Sequence, residues 1–239
     1  MSKKYENKIC IGLPHTGTFP WNTVMSLLGL KMPQGFKAVY HMIGSCLIYD
    51  ARQKIVDFAR ANNCKYTVMF DSDMVIPSDF LLKTIGNLEK HKEVHVITGT
   101  IFKRTPPFQP CFYTKCDYDI KEQKPKLESP IEFPKEGLLP LAGLGLAACT
   151  IKTELFDMID EKKSAHMNGY FYPLPSMGED LTFSLITRKC GGAMVCDLSI
   201  DVGHISAMPI HQDHYRSCYE EWKAKNDGNP IFGEGEVCK

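Results

Sequence analysis

Lys65-Tyr66-Thr67-Val68-Met69-Phe70-Asp71-Ser72-Asp73-Met74-Val75-Ile76-Pro77 decides how the rest of this chain is read. An apolar run suited to a buried strand ends abruptly in two carboxylates one residue apart. In an open α/β sheet, ligands collect outside the carboxyl ends of the strands. Paired hard oxygen ligands at that place suit Mg²⁺ or Mn²⁺ carrying a diphosphate. The same residues also suit an acidic helix start capped by Asp73 or Ser78, and the tripeptide alone leaves both readings open.

Upstream of this stretch, Lys8 to Pro14 reads as a first strand breaking into the loop His15-Thr16-Gly17-Thr18. Trp21 to Leu30 has helical spacing, Phe36 to Met42 reads as a second strand, and Tyr49 to Asn62 as an amphipathic helix with Ile55, Val56, Phe58 and Ala59 on one side. Downstream, a helix is expected over Ser78 to Lys90 and a strand over Glu93 to Gly99. This β-α-β-α-β-α-β order predicts an α/β fold with a mostly parallel sheet flanked by helices.

After Gly99 the texture changes, because Pro106, Pro107, Pro110, Pro125, Pro130, Pro134 and Pro140 break any long element. Short antiparallel strands and loops are expected around Cys111 to Lys115. A Gly-rich strand, Leu141 to Thr150, then leads into a helix over Thr153 to Asp160. Gly143-x-Gly145 lacks the third glycine of a dinucleotide loop, so its small residues are read as permitting close approach by a ligand or a neighbouring strand.

The chain has 239 residues, 44% hydrophobic and 23% charged, which fits an ordinary globular domain. Its 28 basic residues balance 28 acidic ones, removing the electrostatic case for tight non-specific nucleic-acid binding. No run reaches the roughly 18 apolar residues of a membrane span. The amino terminus shows no apolar core of signal-peptide length. Ten cysteines are scattered without a C-x-x-C pair, and they are read as reduced cytosolic thiols. A cytoplasmic protein without an integral membrane segment is therefore expected.

Two further groups carry chemistry. Met177-Gly178-Glu179-Asp180-Leu181 places adjacent carboxylates at a helix start, where they serve as dipole-stabilised caps or as a general base. After a strand expected from Ala193 to Cys196 comes Ile200-Asp201-Val202-Gly203-His204, whose imidazole is a metal ligand or an ordinary surface histidine.

The succession of Asp-x-Asp, Gly-rich strand, Gly-Glu-Asp helix start and Val-Gly-His resembles the GT-A glycosyltransferases, particularly the small family-two-like enzymes of bacteria and their phages. Asp50-Ala51-Arg52-Gln53-Lys54 is similar to the Ala-Arg-Asn helix start of such enzymes, with Gln53 departing from the usual Asn. The resemblance runs from Ile9 to about Ser206. It implies a Rossmann-like, nucleotide-sugar-binding half over residues 1–100, an acceptor-side half of the same domain over 101–206 and a lid or tail over 207–239.

Residue by residue, it implies that Asp73 and His204 bind Mn²⁺ or Mg²⁺. Asp71 joins that site or reaches the ribose. Pro14, Thr16, Arg52, Asp71 and Ser72 contact the donor, with Arg52 approaching base or phosphate. Asp180 is the expected base, with Glu179 orienting the acceptor or capping its helix, and Gly143 and Gly145 lie on the acceptor side. The implied donor is a nucleoside diphosphate sugar, a UDP-sugar first, and the acceptor a hydroxyl on a hydroxylated DNA base or a glycan. A metal-dependent nucleotidyltransferase or phosphohydrolase, and a non-catalytic nucleotide-sugar-binding protein, are the competing readings. Aromatics after His204, Tyr215, Tyr219 and Trp222, suit either packing or a lid.

Overall fold

The computed structural model describes residues 5–162, 169–206 and 209–225. The first part of the chain forms β1 (Glu6–His15), α1 (Trp21–Leu28), β2 (Lys37–Gly44), α2 (Ile48–Ala61), β3 (Cys64–Phe70), β4 (Met74–Val75), α3 (Phe80–Lys90) and β5 (Val94–Thr100). Short strands follow: β6 (Phe112–Tyr113), β7 (Lys115–Asp119), β8 (Lys124–Glu128), β9 (Leu138–Leu141), β10 (Gly143–Leu144) and β11 (Ala148–Lys152). The chain continues through α4 (Glu154–Lys162), α5 (Glu179–Lys189), β12 (Ala193–Asp201), β13 (Gly203–Ile205), β14 (Pro209–Ile210) and α6 (Gln212–Lys225).

The central sheet runs β2-β1-β3-β11-β5-β12-β9. The strands β2, β1, β3, β5 and β12 share one direction, as their α/β alternation predicts, whereas β11 and β9 run against them. Helices cover both faces. On one, Ile55 and Val56 of α2, Phe156 of α4 and Phe183 of α5 are buried against Cys10, Met69, Cys149 and Ile151. On the other, Phe80, Leu81, Ile85 and Leu88 of α3 pack on Ile9, Ile11, Val68 and Ile97. The strict change of face along β1 and β3 is the period-two pattern of a strand buried on both sides.

The Gly-rich stretch expected as one strand from Leu141 to Thr150 is divided among three. β9 borders β12, β10 pairs with β6, and β11 inserts antiparallel between β3 and β5. A Cβ on Gly143 would lie 2.8 Å from Cys116 Cβ, so glycine at this position lets two backbones approach. Inside the sheet, the β11 hydroxyls are satisfied: Thr150 meets Thr84 at 2.9 Å, and next to β11 Thr153 meets Thr67 at 3.0 Å.

At α3 the expected caps are not used. The helix begins at Phe80 after Asp79, so neither Asp73 nor Ser78 caps it. Asp73 is instead the last residue before β4, and β4 pairs antiparallel with β13, setting His204 opposite Met74.

In the carboxyl-terminal segment, Tyr215 is buried, stacks on Phe102 with centroids 5.1 Å apart and donates to Ile131 O at 2.8 Å. Its helix therefore packs on the body of the protein at this residue. Residues 226–239 of the expected lid or tail, with the Gly-rich stretch Phe232-Gly233-Glu234-Gly235, lie outside the described residues.

Candidate active site

At the end of β3, Arg52 of α2 and Glu179 of α5 meet Asp71, and His204 of β13 meets Asp73. The strand delivers Asp71 to its carboxyl end, where Asp71 N donates to Ala147 O at 2.8 Å. α2 supplies Arg52, whose side chain is 4% exposed. A Cβ on Gly12 of β1 would lie 2.4 Å from Ile55 Cγ2, so the missing side chain lets α2 settle onto the sheet and carry Arg52 to the strand end.

Arg52 uses its guanidinium within the protein. Nη2 donates to both Asp71 oxygens at 3.1 and 3.2 Å, Nη1 to Leu146 O at 3.0 Å, and Nε to Glu179 Oε1 at 3.3 Å. In this structure Arg52 is a buried tie between Asp71 and Glu179. Both Asp71 oxygens are held by Arg52, and among the described residues no group of three or more His, Cys, Asp or Glu side chains is placed to hold an ion. Burial raises the Asp71 carboxyl above the ordinary range, Arg52 opposes that rise, and the charge of Asp73 adds to it.

Asp73 and His204 do meet. His204 Nε2 lies 3.4 Å from Asp73 Oδ2, and His204 Nδ1 lies 2.8 Å from Phe102 O. A backbone carbonyl only accepts, so Nδ1 carries the hydrogen and Nε2 is the nitrogen left to face the carboxylate. A proton or a cation can stand between the two atoms. An imidazole oriented by a carbonyl through its other nitrogen is the arrangement that serves a metal ligand. Ile205 N also donates to Asp73 O at 2.8 Å, so the two residues are held together by backbone as well as side chain.

The sequence reading missed Arg104, whose Nη1 lies 3.2 Å from the same Asp73 oxygen. Only its position in a Lys-Arg pair following β5 could have signalled it. Partial burial raises the Asp73 carboxyl, but the hydrogen bond and charge of His204 and the charge of Arg104 outweigh it and hold Asp73 below the ordinary range.

Asp180 lies in the first turn of α5, behind Gly178. Its Oδ1 accepts from Leu181 N at 2.8 Å, while Glu179 takes the contact to Arg52. Desolvation, with the Glu179 charge adding to it and Arg52 opposing, raises the Asp180 carboxyl to about 6. A Cβ on Gly145 would lie 3.7 Å from Asp180 Oδ2, so Gly145 borders this carboxylate, whereas Gly143 is buried against Cys116. Burial pushes the thiols of Cys111, Cys116 and Cys149 up to about 12, which leaves them inert beside the carboxylates.

Of the other expected donor contacts, Pro14 is buried in β1 beside Ile43, and Thr16 is exposed in the following loop. Ser72 accepts from Thr23 Oγ1 at 3.0 Å through its carbonyl, which ties α1 to the Asp-Ser-Asp turn.

The nine cysteines among the described residues are free thiols, and no helix there is long and apolar enough to cross a membrane. No family model and no curated protein matches this sequence. Among solved structures, the chain is similar to the crystal structure of A197 from STIV, at 16% identity and a TM-score of 0.57, over 83% of this chain and 86% of that one. At this identity the similarity extends to the fold, a large mostly parallel sheet flanked by helices with small antiparallel additions.

Proposed function

We propose that this protein is a GT-A-type glycosyltransferase that moves a sugar from a nucleoside diphosphate sugar to a hydroxyl acceptor with the help of Mn²⁺ or Mg²⁺. The observation that carries the reading is the meeting of Asp73 Oδ2 and His204 Nε2 at 3.4 Å, with the other imidazole nitrogen committed to Phe102 O. An oxygen and a nitrogen ligand suit Mn²⁺ somewhat better than Mg²⁺. Asp73 and His204 would supply two ligands to such an ion and would leave it open to the diphosphate of the donor, as is usual for a phosphate-carrying ion. The donor set therefore fits the ion that the sequence resemblance implies.

When bound, a divalent ion supplies Lewis-acid charge to the departing diphosphate. Asp73 and His204 would hold it at the end of β3. The acceptor oxygen forms its bond to the anomeric carbon as the carbon–oxygen bond to phosphate breaks, with the electron pair leaving on the diphosphate. Asp180 takes the acceptor proton, a role suited to a carboxyl raised to about 6 because it is ionised near neutrality yet more basic than an exposed aspartate. Arg52 positions Asp71 and Glu179 from below, and Gly145 leaves space beside Asp180. A UDP-sugar is the first donor to test, with hydroxylated DNA bases and glycans as acceptors.

The test is incubation with a panel of nucleotide sugars, Mn²⁺ and these acceptors. Release of nucleoside diphosphate with glycosylated product supports the transferase. Inorganic phosphate or pyrophosphate as product would replace it with a phosphohydrolase or nucleotidyltransferase, and binding without turnover with a nucleotide-sugar-binding protein.

A further inference from the structure

Arg104 stands where no sequence motif placed a functional residue. It follows β5 in a loop closed by its own hydrogen bonds: Lys103 N donates to Gln109 O at 2.8 Å, Phe108 N to Thr105 O at 2.8 Å, and Cys111 N to Ile101 O at 2.8 Å. The neighbouring cation is committed inside the loop, with Lys103 Nζ donating to Gln109 Oε1 at 2.7 Å. Arg104 points the other way, to Asp73, and its side chain is 53% exposed. Two residues earlier, Phe102 O orients the His204 ring. One loop root thus addresses both prospective ion ligands, one through a carbonyl and the other through a guanidinium.

We infer that Arg104 is a diphosphate-binding residue that guards Asp73 in the free protein and passes to the phosphate oxygens when ion and donor arrive. The inference rests on the proposed transferase reading. Asp73 Oδ2 faces both His204 Nε2 and Arg104 Nη1, at 3.4 and 3.2 Å. A divalent ion shared by Asp73 and His204 would need that oxygen and would repel the guanidinium. Among the described residues Arg104 has no other ion-pair partner, so the anion brought by the ion is the counter-charge within its reach. A guanidinium has five donors in a planar fork matched to phosphate oxygens, and a single contact to Asp73 leaves most of them free. Its exposed stem permits the swing, whereas the buried Arg52 cannot leave its three partners.

The experiment is calorimetry on wild type, Arg104→Ala and Arg104→Lys, titrating Mn²⁺ alone and then inorganic pyrophosphate or UDP onto Mn²⁺-loaded protein, with circular dichroism to check the fold. Arg104→Ala is expected to bind Mn²⁺ at least as tightly as wild type, because a competitor for Asp73 is gone. It should bind pyrophosphate and UDP about 10-fold or more weakly, the size of a lost charge-assisted hydrogen bond. Arg104→Lys should recover part of that loss. Equal pyrophosphate and UDP affinity in wild type and Arg104→Ala overturns the inference and leaves the transferase reading standing. A matching loss of Mn²⁺ affinity also overturns it, by making Arg104 a support for the ion site. Wild type that binds neither Mn²⁺ nor diphosphate removes both.

Discussion

A single nitrogen of Arg52, Nη2, sits between the two carboxylate oxygens of Asp71, 3.1 and 3.2 Å away. Through Nε the same guanidinium reaches Glu179, so the end of β3 and the start of α5 are joined by one buried cation. Removing one partner of a buried ion pair leaves a charge without compensation and typically costs about 3–5 kcal/mol. Arg52→Ala is expected to lose stability of that order in urea unfolding, and Arg52→Lys, which cannot serve three directions at once, should lose most of it as well. A loss under about 1 kcal/mol would show that the tie is not structural. In a double-mutant cycle, Asp71→Asn should lose much of its own effect once Arg52 is gone.

The ion site gives the second prediction. Asp73→Ala and His204→Ala should each weaken Mn²⁺ binding, read by electron paramagnetic resonance. Both should remain folded, because the two side chains are partly exposed and lie outside the hydrophobic core. EDTA should abolish nucleotide-sugar turnover and Mn²⁺ restore it. Full turnover in EDTA, or unchanged Mn²⁺ binding in either variant, removes the ion from the mechanism.

How far the sequence leads differs from residue to residue. The strand ending at Asp71 is legible because its apolar run is bounded on both sides, and the alternation of elements up to Thr100 sets the direction of the parallel strands. β11 is not legible as antiparallel, since a strand buried on both faces has the same apolar composition in either direction. Asp73 and His204 can be suspected from motif order, yet their meeting depends on the β4–β13 pairing, which brings together residues 131 positions apart. Arg52 illustrates the converse. Its motif is visible, but whether a guanidinium turns outward to a ligand or inward to Asp71 is decided by the depth at which α2 packs, and that depth depends on Gly12. Arg104 lies in a Pro-rich loop with no periodicity to read.

Asp180 gives a prediction in pH. Its carboxyl is raised from the ordinary 3.8 to about 6, so the folded state binds a proton more tightly than the unfolded chain. This is the reverse of a salt-bridged carboxylate: its contribution to stability is present below pH 4 and is lost as the pH rises toward 6. Asp180→Asn should therefore stabilise the protein above pH 6, by roughly 1–3 kcal/mol, with little gain below pH 4. For transfer the sign reverses. The base must be ionised, so kcat/KM should rise through an apparent pKa near 6 and level off above it. Asp180→Asn should lower an inverting transfer by about 100-fold or more while Mn²⁺ and nucleotide binding persist, and Glu179→Gln should lower it less. Wild-type transfer by Asp180→Asn, or a product that retains the donor's anomeric configuration, removes Asp180 as the base.

The two glycines of β10 and the turn after it separate packing from function. A Cβ on Gly143 would lie 2.8 Å from Cys116 Cβ and 2.9 Å from its Sγ, inside a buried contact. A Cβ on Gly145 would stand 3.4 Å from Cys111 Cβ and 3.7 Å from Asp180 Oδ2, an ordinary contact on the side of the proposed base. Gly143→Ala is expected to cost about 1–3 kcal/mol through overpacking, with KM for the acceptor unchanged in the folded fraction. Gly145→Ala should unfold close to the wild-type urea concentration. Because its methyl group enters the space next to Asp180, it should raise the acceptor KM while leaving the donor KM alone. The reverse assignment, with Gly145→Ala unstable and Gly143→Ala altering the acceptor KM, would place the acceptor on the other side of β10 and separate Asp180 from it.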